Sequence, residues 1–276
     1  MEELIKAVVL GIIQGATEFI PISSTAHLRV VPALLGWKDI GAAYTAVIQI
    51  GTLIATIIYF RNDISLLFDG FQKALKKKNF LANNESRIFL LIIVGTIPIG
   101  VCGLLFKRFI EGDARGLYVI SAMLIILAVV LFIAEKVGTR SKRLGEMTIK
   151  DGIVIGLAQA LALIPGSSRS GVTITAGLFR GLKRDDAARF SFLLSLPAIG
   201  LSGFYELYKE RNVLLNENLL DLTVATIVSG VVGYYSIDFL LSYLRTKSNL
   251  IFIIYRIALG ILILILLSAG VLTNLG

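Results

Sequence analysis

Long apolar runs separated by short charged segments organise the whole chain. A helix rises 1.5 Å per residue, so about 20 apolar residues cross the ~30 Å of hydrocarbon in a bilayer. Six runs reach that length, and they predict spans over residues 41–60, 88–106, 116–134, 187–208, 219–244 and 250–272. With 56% hydrophobic residues and a mean hydropathy of +0.82 over 276 residues, the pattern predicts one all-α, polytopic membrane helix bundle covering residues 1–276.

Two further apolar stretches are too short to span and are interrupted by proline. Residues 4–20 stop at Pro21, and residues 152–164 stop at Pro165. Proline lacks a backbone donor and disfavours helix in the residue before it, so each helix is predicted to end there. Non-helical backbone at membrane depth persists only inside protein or beside a wet cavity. The two stretches are therefore predicted to form re-entrant helical hairpins over residues 1–40 and 150–184.

The basic residues of the loops predict an orientation. They concentrate in four segments, residues 61–87, 136–150, 180–184 and 245–247. All four lie on one side if the six runs span and the two hairpins turn back, and the positive-inside rule makes that side the cytoplasm. The two segments that carry less excess positive charge are predicted to lie outside, and they are residues 111–115 and 209–218. The first hairpin then opens to the outer face and the second to the cytoplasm.

Two hairpins that enter the membrane from opposite faces are typical of an inverted repeat. The sequence also shows a weak internal similarity between the two hairpins. Gly11-x-x-Gln14 leads to Pro21, and Gly156-x-x-Gln159 leads to Pro165 with one residue of difference in spacing. Inverted repeats bring broken helices of both halves to a shared site at the midplane. We therefore predict two repeats, residues 1–145 and 146–276, each made of one hairpin and three spans.

The net charge of +8 raises the question of whether the protein binds nucleic acid. The basic residues lie in short loops between apolar runs, where their usual role is to orient a membrane protein. We therefore exclude nucleic acid and expect membrane lipids as partners.

The first short helix carries a carboxylate at membrane depth. Such a group costs at least ~2.5 kcal/mol on insertion scales, so its default interpretation is a functional site. Gln14 and Glu18 are four residues apart and share one helix face. Their oxygens suit a hard cation, Mg²⁺ first and Ca²⁺ as the alternative, while the carboxylate could instead act as a base.

Hydroxyls and the only histidine of the chain follow Pro21. Ser23, Ser24 and Thr25 precede His27 by a few residues. Three hydroxyls at a helix start are also ordinary capping residues, and a lone histidine is also an ordinary packing residue. Together, however, a hydroxyl beside an imidazole is the minimum set for nucleophilic catalysis, although His27 could equally attack phosphorus itself.

The second proline break is followed by an arginine among small residues. Arg169 lies in the segment Ser167-Ser-Arg-Ser-Gly171 at a predicted helix start. A guanidinium fork matches phosphate oxygens, and a helix N-terminus adds partial positive charge. The two loops together therefore indicate phosphoryl transfer chemistry.

These residues resemble a known family. Gln14-x-x-x-Glu18, Pro21-Ile-Ser-Ser-Thr-Ala-His27 and Pro165-Gly-Ser-Ser-Arg-Ser-Gly-x-Thr173 are similar to the paired motifs of the undecaprenyl-diphosphate phosphatase family, also called bacitracin-resistance proteins. The resemblance covers essentially the whole chain. It implies an enzyme of the bacterial plasma membrane that converts undecaprenyl diphosphate to undecaprenyl phosphate and inorganic phosphate, and so recycles the lipid carrier for cell-wall synthesis. It further implies bacitracin resistance on overproduction, a divalent metal, an active site open to the extracytoplasmic face, and a homodimer.

The resemblance also implies roles for individual residues. Gln14 and Glu18 match the motif proposed to bind metal, or the diphosphate through it, although many members have Glu where this chain has Gln14. Ser24 and His27 match the candidate nucleophile and base, and Arg169 matches the phosphate-binding arginine. His27 would attack the terminal phosphorus or would activate Ser24 or a water. The expected polar, substrate-binding lining is Ser23, Thr25, Ser167, Ser168, Ser170 and Thr173.

Two alternatives to an enzyme stay open on the residues alone. Broken helices at the midplane are also a transporter pattern, and the same cradle could carry an anionic lipid head. A carrier, however, does not need His27 with its hydroxyls, and a purely structural subunit would leave the buried polar residues unexplained. Asp238 and Arg256, in the last two spans, are expected to form a structural ion pair, with a second polar path as the alternative.

Overall fold

A computed structural model describes residues 1–80, 83–106, 110, 112–211 and 219–274. Within these ranges the chain forms eleven α-helices. In chain order they are α1 Glu2–Glu18, α2 Ser24–Leu34, α3 Gly41–Tyr59, α4 Arg61–Lys77, α5 Asn84–Leu105, α6 Leu117–Val137, α7 Ile149–Ala160, α8 Arg169–Phe179, α9 Arg184–Lys209, α10 Leu219–Leu244 and α11 Leu250–Ser268.

All six predicted spans are confirmed as helices. Among the described residues, α3, α5, α6, α9, α10 and α11 are the helices long and apolar enough to cross a membrane. The chain is therefore an all-helical, multi-pass membrane protein. The prediction for the outer segment 209–218 falls mostly on residues 212–218, which lie outside the described ranges, as do residues 107–109 and 111.

One predicted cytoplasmic segment is helical, contrary to its interpretation as a loop. Helix α4 turns Leu67, Gly70 and Ala74 inward at spacings of three and four residues, while its lysines remain exposed. It ends at Lys77, because the next residue, Lys78, has a left-handed φ of 50° that stops the helix. In the sequence, the charges of this segment dominate and obscure its narrow apolar face.

Both proline breaks end a helix, as predicted, and the two breaks share a local design. Helix α2 begins after Ser23 (φ 75°), and α8 begins after Ser168 (φ 67°). Each serine side chain accepts a hydrogen bond from the backbone N–H three residues later, which caps the new helix. Gln14 and Gln159 each lie nine positions before their capping serine. The one-residue difference counted from the prolines therefore disappears when the caps are the reference.

Helix packing brings the two broken segments together in the interior. Helix α1 packs against α10, and α7 packs against α5, while α3 pairs with α9 and α6 with α11. Close approach depends on glycine at these crossings. A Cβ at Gly156 would lie 2.4 Å from the Cα of Gly95, and one at Gly11 would lie 2.6 Å from the Ala225 carbonyl oxygen. The breaks after α1 and α7 lie against each other, where Ser170 contacts the Ile20 carbonyl oxygen, and beside α9, where Arg169 contacts the Ser191 carbonyl oxygen.

Candidate active site

Glu18, the last residue of α1, is the centre of the polar cluster. Its carboxylate accepts hydrogen bonds from Ser24 Oγ at 2.7 Å and Gln14 Nε2 at 3.0 Å. Arg169 Nη2 donates to the other oxygen at 2.9 Å, which forms a buried ion pair. The predicted convergence of the two loops is therefore present at atomic detail. A hydroxyl that donates to a carboxylate is arranged to lose its proton to that carboxylate.

Arg169 occupies the first position of α8 and is held from two sides. Besides its bond to Glu18, its Nη1 donates to the Ser191 carbonyl oxygen of α9 at 3.1 Å. A guanidinium has five N–H donors, so these contacts leave donors for a phosphate. Ser191 also supports the helix, because its hydroxyl lies 2.6 Å from Thr173 Oγ1. The sequence offered no signal for Ser191, which lies in an apolar span.

The remaining small hydroxyl residues divide between lining and support. Ser23, Thr25 and Ser168 line the cavity described below. Ser170 donates to the Ile20 carbonyl oxygen at 3.3 Å, which ties the second loop to the first. Thr173 bonds within its own helix and to Ser191. Ser167 is fully buried, and its hydroxyl has no hydrogen-bond partner among the described residues.

His27 is turned towards α11. Its Nδ1 lies 2.7 Å from the Ser23 carbonyl oxygen, and its Nε2 lies 2.6 Å from Tyr255 Oη. Ser24 donates to Glu18 instead, so the structure does not join the predicted hydroxyl and imidazole by a direct hydrogen bond. Tyr255 was missed from the sequence because a tyrosine in an apolar span is an ordinary lipid-facing residue.

A cavity of about 590 Å³ opens beside the cluster. Its polar end is lined by Glu18, Ser23, Ser24, Thr25, Ser168 and Arg169. The walls away from this end are mostly apolar and come from α3, α5 and α9, with side chains such as Ala46, Ile99, Ile199 and Leu201. Further polar lining residues that the sequence did not single out are Gln49, Thr96, Ser202, Tyr205 and Glu206. The shape suits a molecule with an anionic head and an apolar tail.

Arg256 does not pair with Asp238, so that prediction is wrong. Asp238 accepts a hydrogen bond from Tyr59 Oη at 2.9 Å on the exposed side of α10. Arg256 is fully buried and donates to carbonyl oxygens of α6 and of both loops. These acceptors are Leu124, Met123, Pro21, Gly166 and Ser167, at 3.0–3.3 Å. Irregular backbone at depth has carbonyls that no helix satisfies, and the guanidinium supplies the missing donors.

The donor set for a metal is small. Within the described ranges, no group of three or more His, Cys, Asp or Glu side chains is placed to hold an ion. Gln14 Oε1 is buried without a hydrogen-bond partner there, whereas the oxygens of Glu18 already accept three hydrogen bonds. These residues fit a cation that takes most of its ligands from phosphate and water, as Mg²⁺ commonly does.

Comparison with known proteins decides the family. A profile of the family described as bacitracin resistance protein BacA matches residues 7–262. The chain belongs to this family. It is 55% identical to a protein of Chloroherpeton thalassium named undecaprenyl-diphosphatase, over 97% of this chain and 98% of the relative. It is also 51% identical to one of the same name from Myxococcus xanthus, over 97% of this chain and 90% of the relative. A relative from Chlorobaculum tepidum, again an undecaprenyl-diphosphatase, is 54% identical over 97% of this chain and 98% of its own length.

Proposed function

We propose that this member of the BacA family hydrolyses undecaprenyl diphosphate to undecaprenyl phosphate and inorganic phosphate. The enzyme thereby recycles the lipid carrier for bacterial cell-wall synthesis, and its overproduction confers bacitracin resistance. The observation that carries the proposal is the Glu18–Ser24–Arg169 cluster at the polar end of an apolar-walled cavity. Similarity to proteins named undecaprenyl-diphosphatase, over nearly the whole chain, supports the same reaction.

The chemistry assigns one role to each side chain of the cluster. Arg169 binds oxygens of the terminal phosphoryl group and neutralises their charge. Ser24 Oγ attacks the terminal phosphorus as its proton passes to Glu18, and the bond from that phosphorus to the bridging oxygen breaks. Undecaprenyl phosphate leaves with the bridging oxygen. Glu18 passes its proton to the departing bridging oxygen and is free to act again. Water then attacks the seryl phosphate and gives a proton to Glu18, the bond from phosphorus to Ser24 Oγ breaks, and Glu18 returns that proton to Ser24 as inorganic phosphate leaves.

Attack by water without a seryl phosphate is the alternative that uses the same residues. Attack by His27 itself is less compatible with the geometry, because both ring nitrogens are within hydrogen-bond distance of Ser23 or Tyr255. The catalytic role predicted for His27 therefore stays a prediction, as does transport of the lipid head. Ser23, Thr25 and Ser168 are proposed to contact the diphosphate, since they line the cavity.

A divalent cation is proposed to accompany the diphosphate, Mg²⁺ first and Ca²⁺ as the alternative. Gln14, through its unpartnered Oε1, and Glu18 would hold it. When bound, the ion supplies further neutralisation of phosphoryl charge. Residues of the chain do the rest: Arg169 binds phosphate, and Glu18 holds the proton.

The finer architecture is also a proposal. The two halves, residues 1–145 and 146–276, form inverted repeats with re-entrant hairpins over 1–40 and 150–184. Reciprocal packing supports this assignment, because α1 lies on α10 of the other half and α7 lies on α5. We propose that the protein lies in the bacterial plasma membrane with the cavity open to the extracytoplasmic face, and the positive charge of the predicted cytoplasmic loops supports this orientation. A homodimer is proposed from the family resemblance.

Phosphate release from a polyprenyl diphosphate tests the function. Purified wild type is compared with Ser24→Ala, with and without a chelator, and Ser141→Ala in an exposed cytoplasmic loop is the matched control. We expect release by wild type and Ser141→Ala, a large loss in Ser24→Ala, and a loss in chelator that added Mg²⁺ restores. Folded wild type that releases no phosphate in the presence of metal would refute the proposed reaction.

Trapping separates the two chemical routes. If a seryl phosphate forms, rapid quenching of a reaction with substrate labelled at its terminal phosphate should leave label on the wild-type protein and none on Ser24→Ala. Direct attack by water leaves no label on either protein.

A further inference from the structure

The imidazole of His27 has a partner that no motif of the sequence indicates. Tyr255 lies in α11, more than two hundred residues away along the chain, and its hydroxyl is 2.6 Å from His27 Nε2. The two rings are also nearly parallel, with centroids 5.6 Å apart and an interplanar angle of 6°. The hydrogen bond and the ring contact, both made by Tyr255, together orient the imidazole.

The partners of His27 determine which ring nitrogen carries the proton. The Ser23 carbonyl oxygen can only accept, so Nδ1 at 2.7 Å must carry hydrogen and donate to it. In the neutral imidazole Nε2 is then an acceptor, and the Tyr255 hydroxyl donates to it. The Ser23 carbonyl therefore selects the tautomer, and the Tyr255 hydroxyl stabilises it by donating to Nε2.

Ser23 needs to be held. Its φ of 75° lies in a region that side-chain-bearing residues rarely adopt. The peptide that follows Ser23 leads directly into Ser24, whose hydroxyl must stay 2.7 Å from Glu18. The imidazole of His27 fixes this peptide by donating a hydrogen bond to the Ser23 carbonyl oxygen. Any change in the tautomer of His27 thus acts on the position of Ser24.

We propose that Tyr255 is a positioning residue, which acts through His27 and the Ser23 carbonyl to keep Ser24 beside Glu18. Without its hydroxyl, Nε2 of the buried imidazole loses its donor at a part-buried contact, and the tautomer with hydrogen on Nε2 becomes accessible. That tautomer cannot donate to the Ser23 carbonyl. The kinetic part of this proposal rests on the proposed phosphatase function, whereas its structural part does not.

Nuclear magnetic resonance tests the structural part directly, because His27 is the only histidine in the chain. The protein is labelled with ¹⁵N-histidine and purified through a tag without histidine, so that every imidazole signal belongs to His27. We expect wild type to show protonated Nδ1 and unprotonated Nε2, and Tyr255→Phe to show a mixture of tautomers. Tyr235→Phe, at an exposed tyrosine of α10, is the control and should match wild type. Identical spectra for Tyr255→Phe and wild type would overturn the proposal.

Kinetics test the link to Ser24. Loss of one hydrogen bond in the positioning network should lower kcat of Tyr255→Phe about tenfold while KM stays the same. In a His27→Ala background the same substitution should cost less than twofold, because the residue through which it acts is gone. Unchanged kcat in Tyr255→Phe, or an equal loss in both backgrounds, would overturn the proposal.

The two failures are distinguishable. A folded wild type that releases no phosphate refutes the proposed function and with it the kinetic part. The ¹⁵N spectra still decide whether Tyr255 stabilises the tautomer of His27.

Discussion

Arg169 Nη2 donates to Glu18 Oε1 at 2.9 Å, and this ion pair joins two loops that are 151 residues apart in sequence. Each partner stands where a helix is interrupted, Glu18 at the end of α1 and Arg169 at the start of α8. Both side chains are at least nine-tenths buried. A buried pair is retained at this depth because each charge would otherwise lack a partner.

Glu18→Gln should abolish most of the activity. The amide keeps the shape of the side chain but cannot take the proton of Ser24, and Arg169 loses its counter-charge. We expect phosphate release to fall by roughly 100-fold or more, the usual contribution of a general base. Initial rates of wild type and variant in the same detergent measure the effect. Activity within threefold of wild type would show that Glu18 is not the base.

Arg169→Lys should be a severe change although it preserves charge. Lysine has no planar fork, so it cannot contact the phosphate and the Ser191 carbonyl oxygen in the same geometry. We expect kcat/KM to fall at least about tenfold. The matched control is Arg61→Lys, at an exposed position at the start of α4, which should behave as wild type. Equal kinetics for Arg169→Lys and the control would contradict the proposed phosphate contact.

Arg256→Met should destabilise the fold. The apolar side chain leaves buried carbonyl oxygens of both loops without donors, and we expect a loss of at least about 3 kcal/mol in the free energy of unfolding. A thermal melt of the detergent-solubilised protein measures it as a lowered Tm. Asp238→Asn tests the corrected pairing, because it should leave Tm nearly unchanged. An equal drop in Tm for both variants would contradict the corrected pairing and favour the Asp238–Arg256 ion pair expected from the sequence.

The ion pairs at the start of α7 should stabilise the fold to an extent that depends on pH. Burial alone would raise the pKa of Asp151, but hydrogen bonds from Thr148, Lys142 and Arg180 outweigh it and lower the pKa to about 2. Because the folded pKa lies below the ordinary value of 3.8, the ionised form stabilises the fold above that value. The stabilisation is lost as the pH falls towards 2.

Asp151→Asn measures that contribution. At neutral pH the variant should have a lower Tm than wild type, since Lys142 and Arg180 lose their common partner. Melts taken at successively lower pH should bring the two proteins together as Asp151 becomes protonated. A difference in Tm that stays constant from pH 7 to pH 2 would exclude Asp151 as the titrating group.

The sequence predicted the spans well because membrane crossing imposes a length and a composition that are visible in one dimension. The proline breaks and the meeting of Glu18 with Arg169 were predictable for the same reason: irregular backbone and charge are both costly in hydrocarbon. The hydrogen-bond partners of individual side chains were harder to predict from the sequence. Ser24 could have reached His27 or Glu18, and only the direction in which each side chain leaves its helix decides between them. Tyr255 and Arg256 were missed as site residues because their partners are backbone carbonyls and a ring nitrogen of distant segments, which no spacing records.

The contacts of Arg256 also have a consequence for biogenesis. Ribosomes make the chain from the N-terminus, so α11 emerges after α1 to α10, and all five carbonyl partners of Arg256 belong to segments made before it. Until α11 docks, those carbonyls lack this donor and the guanidinium lacks its acceptors. Docking of α11 therefore supplies the missing donor to both loops in one step. A nascent chain that stops before residue 256 would insert its earlier helices but would lack the hydrogen bonds from Arg256 that hold both loops.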